Sequence, residues 1–208
     1  MTHSSPSSLP ATKRALDCVG ATALLVLFAP VVIIVMIALW LDDGRPIFFT
    51  QMRAGENGVP FRVYKFRTLH TGPKDPSRPA DHTTTLGAPL RRWALDELPQ
   101  LWNVLRGDMT LVGPRPAPLN QVAQYGPAER RRLDVPPGLT GWAQIHGRNA
   151  LSWPQRIAYD RWYVQNRSLL LDFRILLYTP GVLITGTGVY GPQNENPSFS
   201  STPPSSHA

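Results

Sequence analysis

Residues 19–41 are apolar almost throughout, and no other feature limits the possible folds of this chain so strongly. The run is long enough to cross a bilayer, which takes ~20 such residues. Pro30 falls near its middle, where it removes a backbone donor and crowds the preceding turn, so a bend is predicted there. Of a net charge of +7, +1 lies up to residue 41, from Lys13, Arg14 and Asp17, and +6 lies beyond it. Both flanks are therefore basic, and a positive-inside count names neither side as the exterior. A single-pass helix that tolerates its proline fits the run. So does a re-entrant helix that enters, bends at Pro30 and leaves on the same side, provided the carbonyls freed at the bend find partners.

The basic remainder calls for an anionic partner: nucleic acid, acidic lipid or a phosphorylated substrate. The arginine excess, 18 against 3 lysines, and the 22 prolines are also what genomic base composition alone produces. Cys18 is the only cysteine, so no intrachain disulfide forms, as in a cytosolic catalytic part. No small-residue cleavage site follows the apolar run, and a cleaved signal peptide is not expected. The Ser/Pro/Thr-rich residues 1–12 and the similar residues 191–208 read as disordered tails. The membrane helix takes residues 13–41 and the catalytic domain residues 42–190.

After the apolar run, residues 47–53 and 61–68 read as a β-hairpin turning through Ala54-Gly55-Glu56-Asn57-Gly58, with Asn57-Gly58 the turn signal. Alternation places Arg62, Tyr64 and Phe66 on one face and Phe61, Val63, Lys65 and Arg67 on the other. Residues 69–85 read as a polar loop, either a lid or plain disorder. Residues 96–105 predict a helix capped by Asp96, with Pro99 in its first turn and Gly107 past its end. Ser152-Trp153-Pro154-Gln155 is a capping box opening a helix to about Asn166. Residues 169–184 are apolar but interrupted by Asp172, Arg174 and Pro180. Trp153, Trp162, Tyr163 and Tyr178 suit either helices lying at a lipid interface or the core.

Asp96 and Glu97 are the candidate chemistry. One residue apart on a helix, their side chains diverge by ~100°, so one can attack or take a proton while the other holds a cation. Alone, the pair reads first as a cap plus a dipole-favoured acid in the first turn. Arg91 and Arg92 precede it closely and Arg106 ends the predicted helix. In Pro114-Arg115-Pro116 a stiff backbone presents a planar fork of donors suited to phosphate, or a rigid turn with a solvated arginine. The glycines of 138–141 and Gly147 allow close approach of an anionic ligand, or simply turn the chain.

The order of these pieces is specific. Lys65-Phe66-Arg67-Thr68, the stretch Leu95-Asp96-Glu97-Leu98-Pro99-Gln100-Leu101-Trp102-Asn103-Val104, Gly113-Pro114-Arg115-Pro116, Gly138-Leu139-Thr140-Gly141-Trp142-Ala143-Gln144 and Gly147-Arg148-Asn149 together resemble the bacterial sugar transferases, small monotopic phosphoglycosyl transferases. The resemblance covers roughly residues 13–184. It implies an α+β, mainly helical fold with a re-entrant membrane helix bent at Pro30, a short hairpin and a cytosolic domain with interfacial amphipathic helices. It implies transfer of a sugar-1-phosphate from a UDP-sugar to undecaprenyl phosphate at the bacterial inner membrane, with release of UMP and a need for Mg²⁺. By the same match Asp96 is the nucleophile, Glu97 the Mg²⁺ ligand and Arg115 a phosphate contact. Lys65, Arg67, Arg91 and Arg148 are further phosphate-binding candidates. Three positions depart from the family's habit: Ala29 stands where serine is common, Pro136 where a basic residue is common, and His146 where asparagine is common.

Two other readings compete. A membrane-bound nucleotide-sugar hydrolase needs no lipid acceptor. A single-pass anchor carrying a nucleic-acid-binding domain predicts salt-sensitive binding, and the ordered carboxylate and Pro-Arg-Pro motifs argue against it, so nucleic acid is not the expected partner.

Overall fold

The structure, a computed structural model, describes residues 9–70, 83–186 and 188. The expected tail at 191–208, residues 1–8 of the other tail and most of the loop at 69–85 lie outside these. The fold is mainly helical, α+β. Helix α1 (Ala11–Asp43) leads into a hairpin, β1 (Phe48–Ala54) and β2 (Pro60–Phe66). Then follow α2 (Gly87–Arg92), a 3₁₀ turn (Leu95–Glu97), α3 (Gln100–Arg106), β3 (Thr110–Val112), β4 (Ala117–Pro118), α4 (Leu119–Val122) and α5 (Pro127–Arg130). After these come β5 (Gly138–Thr140), α6 (Trp142–Ile145), α7 (Trp153–Asn166) and α8 (Leu169–Thr185).

Helix α1 begins within the expected N-terminal tail and continues through Pro30 without leaving helical backbone. The missing donor interrupts one hydrogen bond, and the turns on either side sustain the helix. Both halves of α1 pack against the same domain. In the first half Asp17 accepts from the Thr110 hydroxyl at 2.6 Å and from Leu111 N at 3.2 Å. In the second half Val35 and Leu39 pack with Phe66 and Leu90. Lys13 and Arg14, expected as flanking charges, are consumed inside the fold. Lys13 is buried and donates to Asp172 at 2.6 Å. Arg14 donates to the Val104 and Leu105 carbonyls, where it neutralises the negative end of α3.

The hairpin forms where expected. Asn57 and Gly58 both take positive φ, which these two residues tolerate best. Phe61 and Val63 face the main core with Leu101, Val104 and Met109. Phe66, on the opposite face, is buried against α1, so both faces of this sheet end are covered. The ends of the 69–85 loop are tied together by Thr84 N donating to the Thr68 carbonyl at 3.0 Å. The capping box opens α7, with Ser152 N donating to Gln155 Oε1 at 2.9 Å. Tyr163 belongs to the core: its hydroxyl lies 2.9 Å from the Val112 carbonyl and 2.7 Å from Asp172 Oδ1. Tyr178 and Trp162 are exposed.

The glycine-rich segments have a packing role. Parallel strands β3 and β5 bring Gly113-Pro114 against Gly138–Gly141. A Cβ on Gly138 would lie 2.0 Å from Gly113 N, and one on Gly141 would lie 2.1 Å from the Gly113 carbonyl oxygen. What approaches these glycines is another stretch of backbone, and that contact fixes where Pro114-Arg115-Pro116 leaves the sheet. Pro136 sits inside this junction, fully buried.

Candidate active site

Asp96 does not cap a helix. Ala94 takes left-handed backbone (φ 54°) and drops the chain into the 3₁₀ turn, and α3 starts only after Pro99. A non-glycine residue in that region costs on the order of 1–3 kcal/mol and persists where the surroundings enforce it. The tighter turn directs both carboxylates inward, and Asp96 and Glu97 are both buried.

The two acids have different surroundings. Glu97 Oε1 takes Lys65 Nζ and Arg115 Nη2, each at 2.6 Å, and Oε2 takes Arg115 Nη1 at 3.3 Å. Burial opposes its ionisation, but the charges of Arg115 and Lys65 outweigh burial and hold the carboxyl far below the usual range. Asp96 makes no hydrogen bond or ion pair among the described residues. Burial pushes its carboxyl up; Lys65 opposes this, Glu97 adds to it, and Arg91 and Arg115 also oppose it. One carboxylate is locked between cations. The other is desolvated and unattached, with cations close enough to be felt.

Several sequence-predicted residues therefore meet. Lys65 and Arg115 grip Glu97, and Arg91 acts on Asp96. Arg148, also at positive φ, leaves one buried guanidinium nitrogen without a partner among the described residues. Burial and Arg115 lower its pKa, while Glu97 and Asp96 act the other way. Arg67 is different: it is buried and donates to the Gly44 carbonyl at 3.2 Å, tying down the chain reversal after α1. His146 is also structural in its contacts, with Nδ1 2.7 Å from the Trp142 carbonyl and the ring stacked on Tyr159.

Other residues of the site escaped sequence reasoning. Arg132 and Asp160, 2% and 1% exposed, form an ion pair; Arg132 also donates to the Arg115 carbonyl at 2.9 Å and to the Tyr125 hydroxyl at 2.6 Å. This pair braces the backbone of the residue that grips Glu97. Arg156 is fixed by the Leu151 and Asn149 carbonyls and lies over the Trp153 ring at 4.6 Å. Arg53 of β1 pairs with Pro118 of β4, and the charges of Arg115 and Glu97 both act on it. A cavity of about 210 Å³ beside Lys13, Thr110, Tyr163 and Asp172 includes none of the residues around the dyad, so the chemistry belongs to the charged cluster and not to this cavity.

Such a constellation, an unattached buried carboxylate beside a clamped one with cations around both, suits displacement at phosphorus. The family model described as bacterial sugar transferase matches residues 9–186. The chain belongs to the bacterial sugar transferase family. It is an enzyme, a transferase. The sugar transferase EpsL of Bacillus subtilis is 41% identical, over 85% of this chain and 89% of its own length. The UDP-glucose:undecaprenyl-phosphate glucose-1-phosphate transferase of Caulobacter vibrioides is 41% identical, over 86% of this chain and 72% of its own length. The UDP-galactose-lipid carrier transferase of Erwinia amylovora is 36% identical over 86% of this chain, which matches only 41% of that larger protein. The region matched by the family model contains α1, the dyad and the Pro-Arg-Pro segment, so the site described above lies within that span.

Proposed function

We propose that this enzyme transfers a sugar-1-phosphate from a UDP-sugar to undecaprenyl phosphate, releasing UMP, through a covalent phosphosugar on Asp96, and so initiates exopolysaccharide or other glycan assembly. The observation that carries the reading is the asymmetry of the dyad. Glu97 is held by Lys65 and Arg115, whereas Asp96 is buried, without a partner among the described residues, and made more basic by burial. A carboxylate in that state is the better nucleophile of the two. In the first displacement an Asp96 oxygen bonds to the sugar-bearing phosphorus as the bond to the UMP oxygen breaks. In the second, a phosphate oxygen of the lipid acceptor attacks the same phosphorus and frees Asp96. Lys65, Arg91, Arg115 and Arg148 offset charge on the phosphoryl oxygens and position both substrates.

The two carboxylates also fit Mg²⁺. No group of three or more His, Cys, Asp or Glu side chains gathers among the described residues. Mg²⁺ is satisfied by one or two carboxylates together with substrate phosphates and waters. Glu97 would hold it with Asp96 beside it. When bound, the ion supplies further neutralisation at the phosphoryl oxygens.

The same reading places α1 re-entrant, at the inner membrane, with the domain on the cytosolic side. Both halves of α1 dock on one domain, which supports entry and exit at one face. Helix α8 presents Leu170, Phe173, Leu177 and Ile184 outward along one side, with Leu170 78% exposed, as a helix lying in the lipid interface does. Cysteines placed singly at the exposed Thr12 and Asp42, in a Cys18→Ser background, are expected to react with an impermeant maleimide from the same side of sealed vesicles. Labelling from opposite sides would contradict the re-entrant arrangement.

The activity itself is tested by UMP release from purified protein in lipid nanodiscs, with Mg²⁺ and a panel of UDP-sugars. Release sustained only with undecaprenyl phosphate is expected. Multiple turnovers without the lipid would favour the hydrolase instead.

A further inference from the structure

Arg53 stands on the same face of the hairpin as Lys65. The register pairs Phe49 with Lys65, Gln51 with Val63 and Arg53 with Phe61, and residues paired across two strands share a face. Lys65 reaches Glu97 from one end of that face, and Arg53 occupies the other end, next to Pro118 of β4, just past the Pro-Arg-Pro segment. Arg53 is half-buried as a residue, and among the described residues its side chain donates to a neutral group, Gln51 Oε1 at 2.6 Å. No carboxylate among the described residues neutralises it directly.

Burial first, and then the like charge of Arg115, pull Arg53 down to about 10, with Glu97 opposing. Its strand partner Pro118 lies three residues past Arg115, and Arg115 and Glu97 are the charges that act on it, so Arg53 stands on the Pro-Arg-Pro side of the site. Arg115 already holds Glu97 with its own fork, so Arg53 adds a second planar fork of donors on that side of the site, suited to phosphate.

We propose that Arg53, together with Arg115, binds the phosphate that departs with the nucleotide. The inference rests on the sugar-phosphate transfer described above. The phosphorus under attack must lie at Asp96, and the diphosphate's other phosphate lies one bridging oxygen further on, toward Glu97 and Arg115. Arg53 is thus a contact to the donor and to released UMP, not to the lipid acceptor.

Equilibrium binding separates these roles. Full-length Asp96→Asn protein in nanodiscs is titrated with UMP and, separately, with uridine, with and without Arg53→Gln. The expected result is a loss of UMP affinity of about 10- to 100-fold, the worth of a charge-assisted contact to phosphate, with uridine affinity unchanged. Arg53→Lys should recover part of the loss, because it keeps the charge without the fork. In the Asp96 enzyme, Arg53→Gln should raise the KM for the UDP-sugar and leave that for undecaprenyl phosphate as it is. UMP affinity equal to that of the Arg53 protein would overturn the assignment. So would parallel loss of UMP and uridine that persists in Arg53→Lys, or a KM effect confined to the lipid acceptor. Absence of UMP binding when both Arg53 and Asp96 are intact would instead contradict the transfer reaction itself.

Discussion

Asp96→Asn is expected to lower turnover at least ~10³-fold while leaving the protein folded. Asparagine keeps the shape but cannot form the phosphosugar bond. The variant should be no less stable than the unsubstituted protein near neutral pH, because the carboxylate it replaces has no hydrogen-bond or ion-pair partner to lose among the described residues. The pH dependence has a definite sign. Burial raises the folded-state pKa of Asp96 above its unfolded value, so the folded state holds its proton longer and ionisation costs stability as pH rises through that interval. The stability of Asp96→Asn relative to the unsubstituted protein should therefore improve from about pH 4 upward and converge with it in stronger acid. Glu97 behaves oppositely. Its depressed pKa contributes stability that is present above the unfolded value and is lost as pH falls. Thermal unfolding of both proteins across a pH series, beside UMP release, separates the catalytic loss from any loss of fold. An Asp96→Asn protein that unfolds readily at neutral pH would show that the carboxylate is structural.

The largest stability effect is expected at Asp160→Asn. Arg132 and Asp160 are both almost completely buried. Removing one charge leaves the other desolvated and uncompensated, at a cost of about 3–5 kcal/mol. For a domain of this size that lowers Tm by roughly 10 °C or more. The loss also reaches the site, because Arg132 supports the Arg115 carbonyl. Replacing both partners, as in Arg132→Met with Asp160→Leu, removes both charges and should recover much of the stability, although the contact to Arg115 stays lost. An Asp160→Asn protein with unchanged Tm would show that water reaches the pair and that it braces nothing.

Local signals carried much of this molecule. The apolar run, the Asn57-Gly58 turn, the Ser152–Gln155 capping box and Gly107 after α3 each act through neighbours a few residues away, and each appears in the fold. The clustering of Lys65, Asp96, Glu97 and Arg115 followed from the order of motifs. What escaped depends on which distant segments meet. Asp96 resembled a cap because a 3₁₀ turn reached through left-handed Ala94 leaves no composition signal. Lys13 and Arg14 resembled flanking charges because their partners, Asp172 and the end of α3, lie far along the chain. The glycines at 138 and 141 gave no hint that Gly113 would be the group pressing on them. Arg132 and Asp160 gave no hint of each other, since the 3₁₀ turn at Arg131–Leu133 must pack on α7 before they meet. Arg53 was within reach. The hairpin turn sets the strand register, and that register alone puts Arg53 on the face of Lys65.

The central claim is the covalent step at Asp96, and intact-protein mass spectrometry tests it most directly. The purified enzyme is incubated with Mg²⁺ and each UDP-sugar in the absence of lipid acceptor. The expected result is one added phosphosugar per chain for the true donor, mapped to Asp96 by peptide analysis, absent in Asp96→Asn and discharged when undecaprenyl phosphate is added. Acceptor-dependent UMP release with the donor, without any adduct on rapid quenching, would contradict the account and require direct attack by the lipid phosphate.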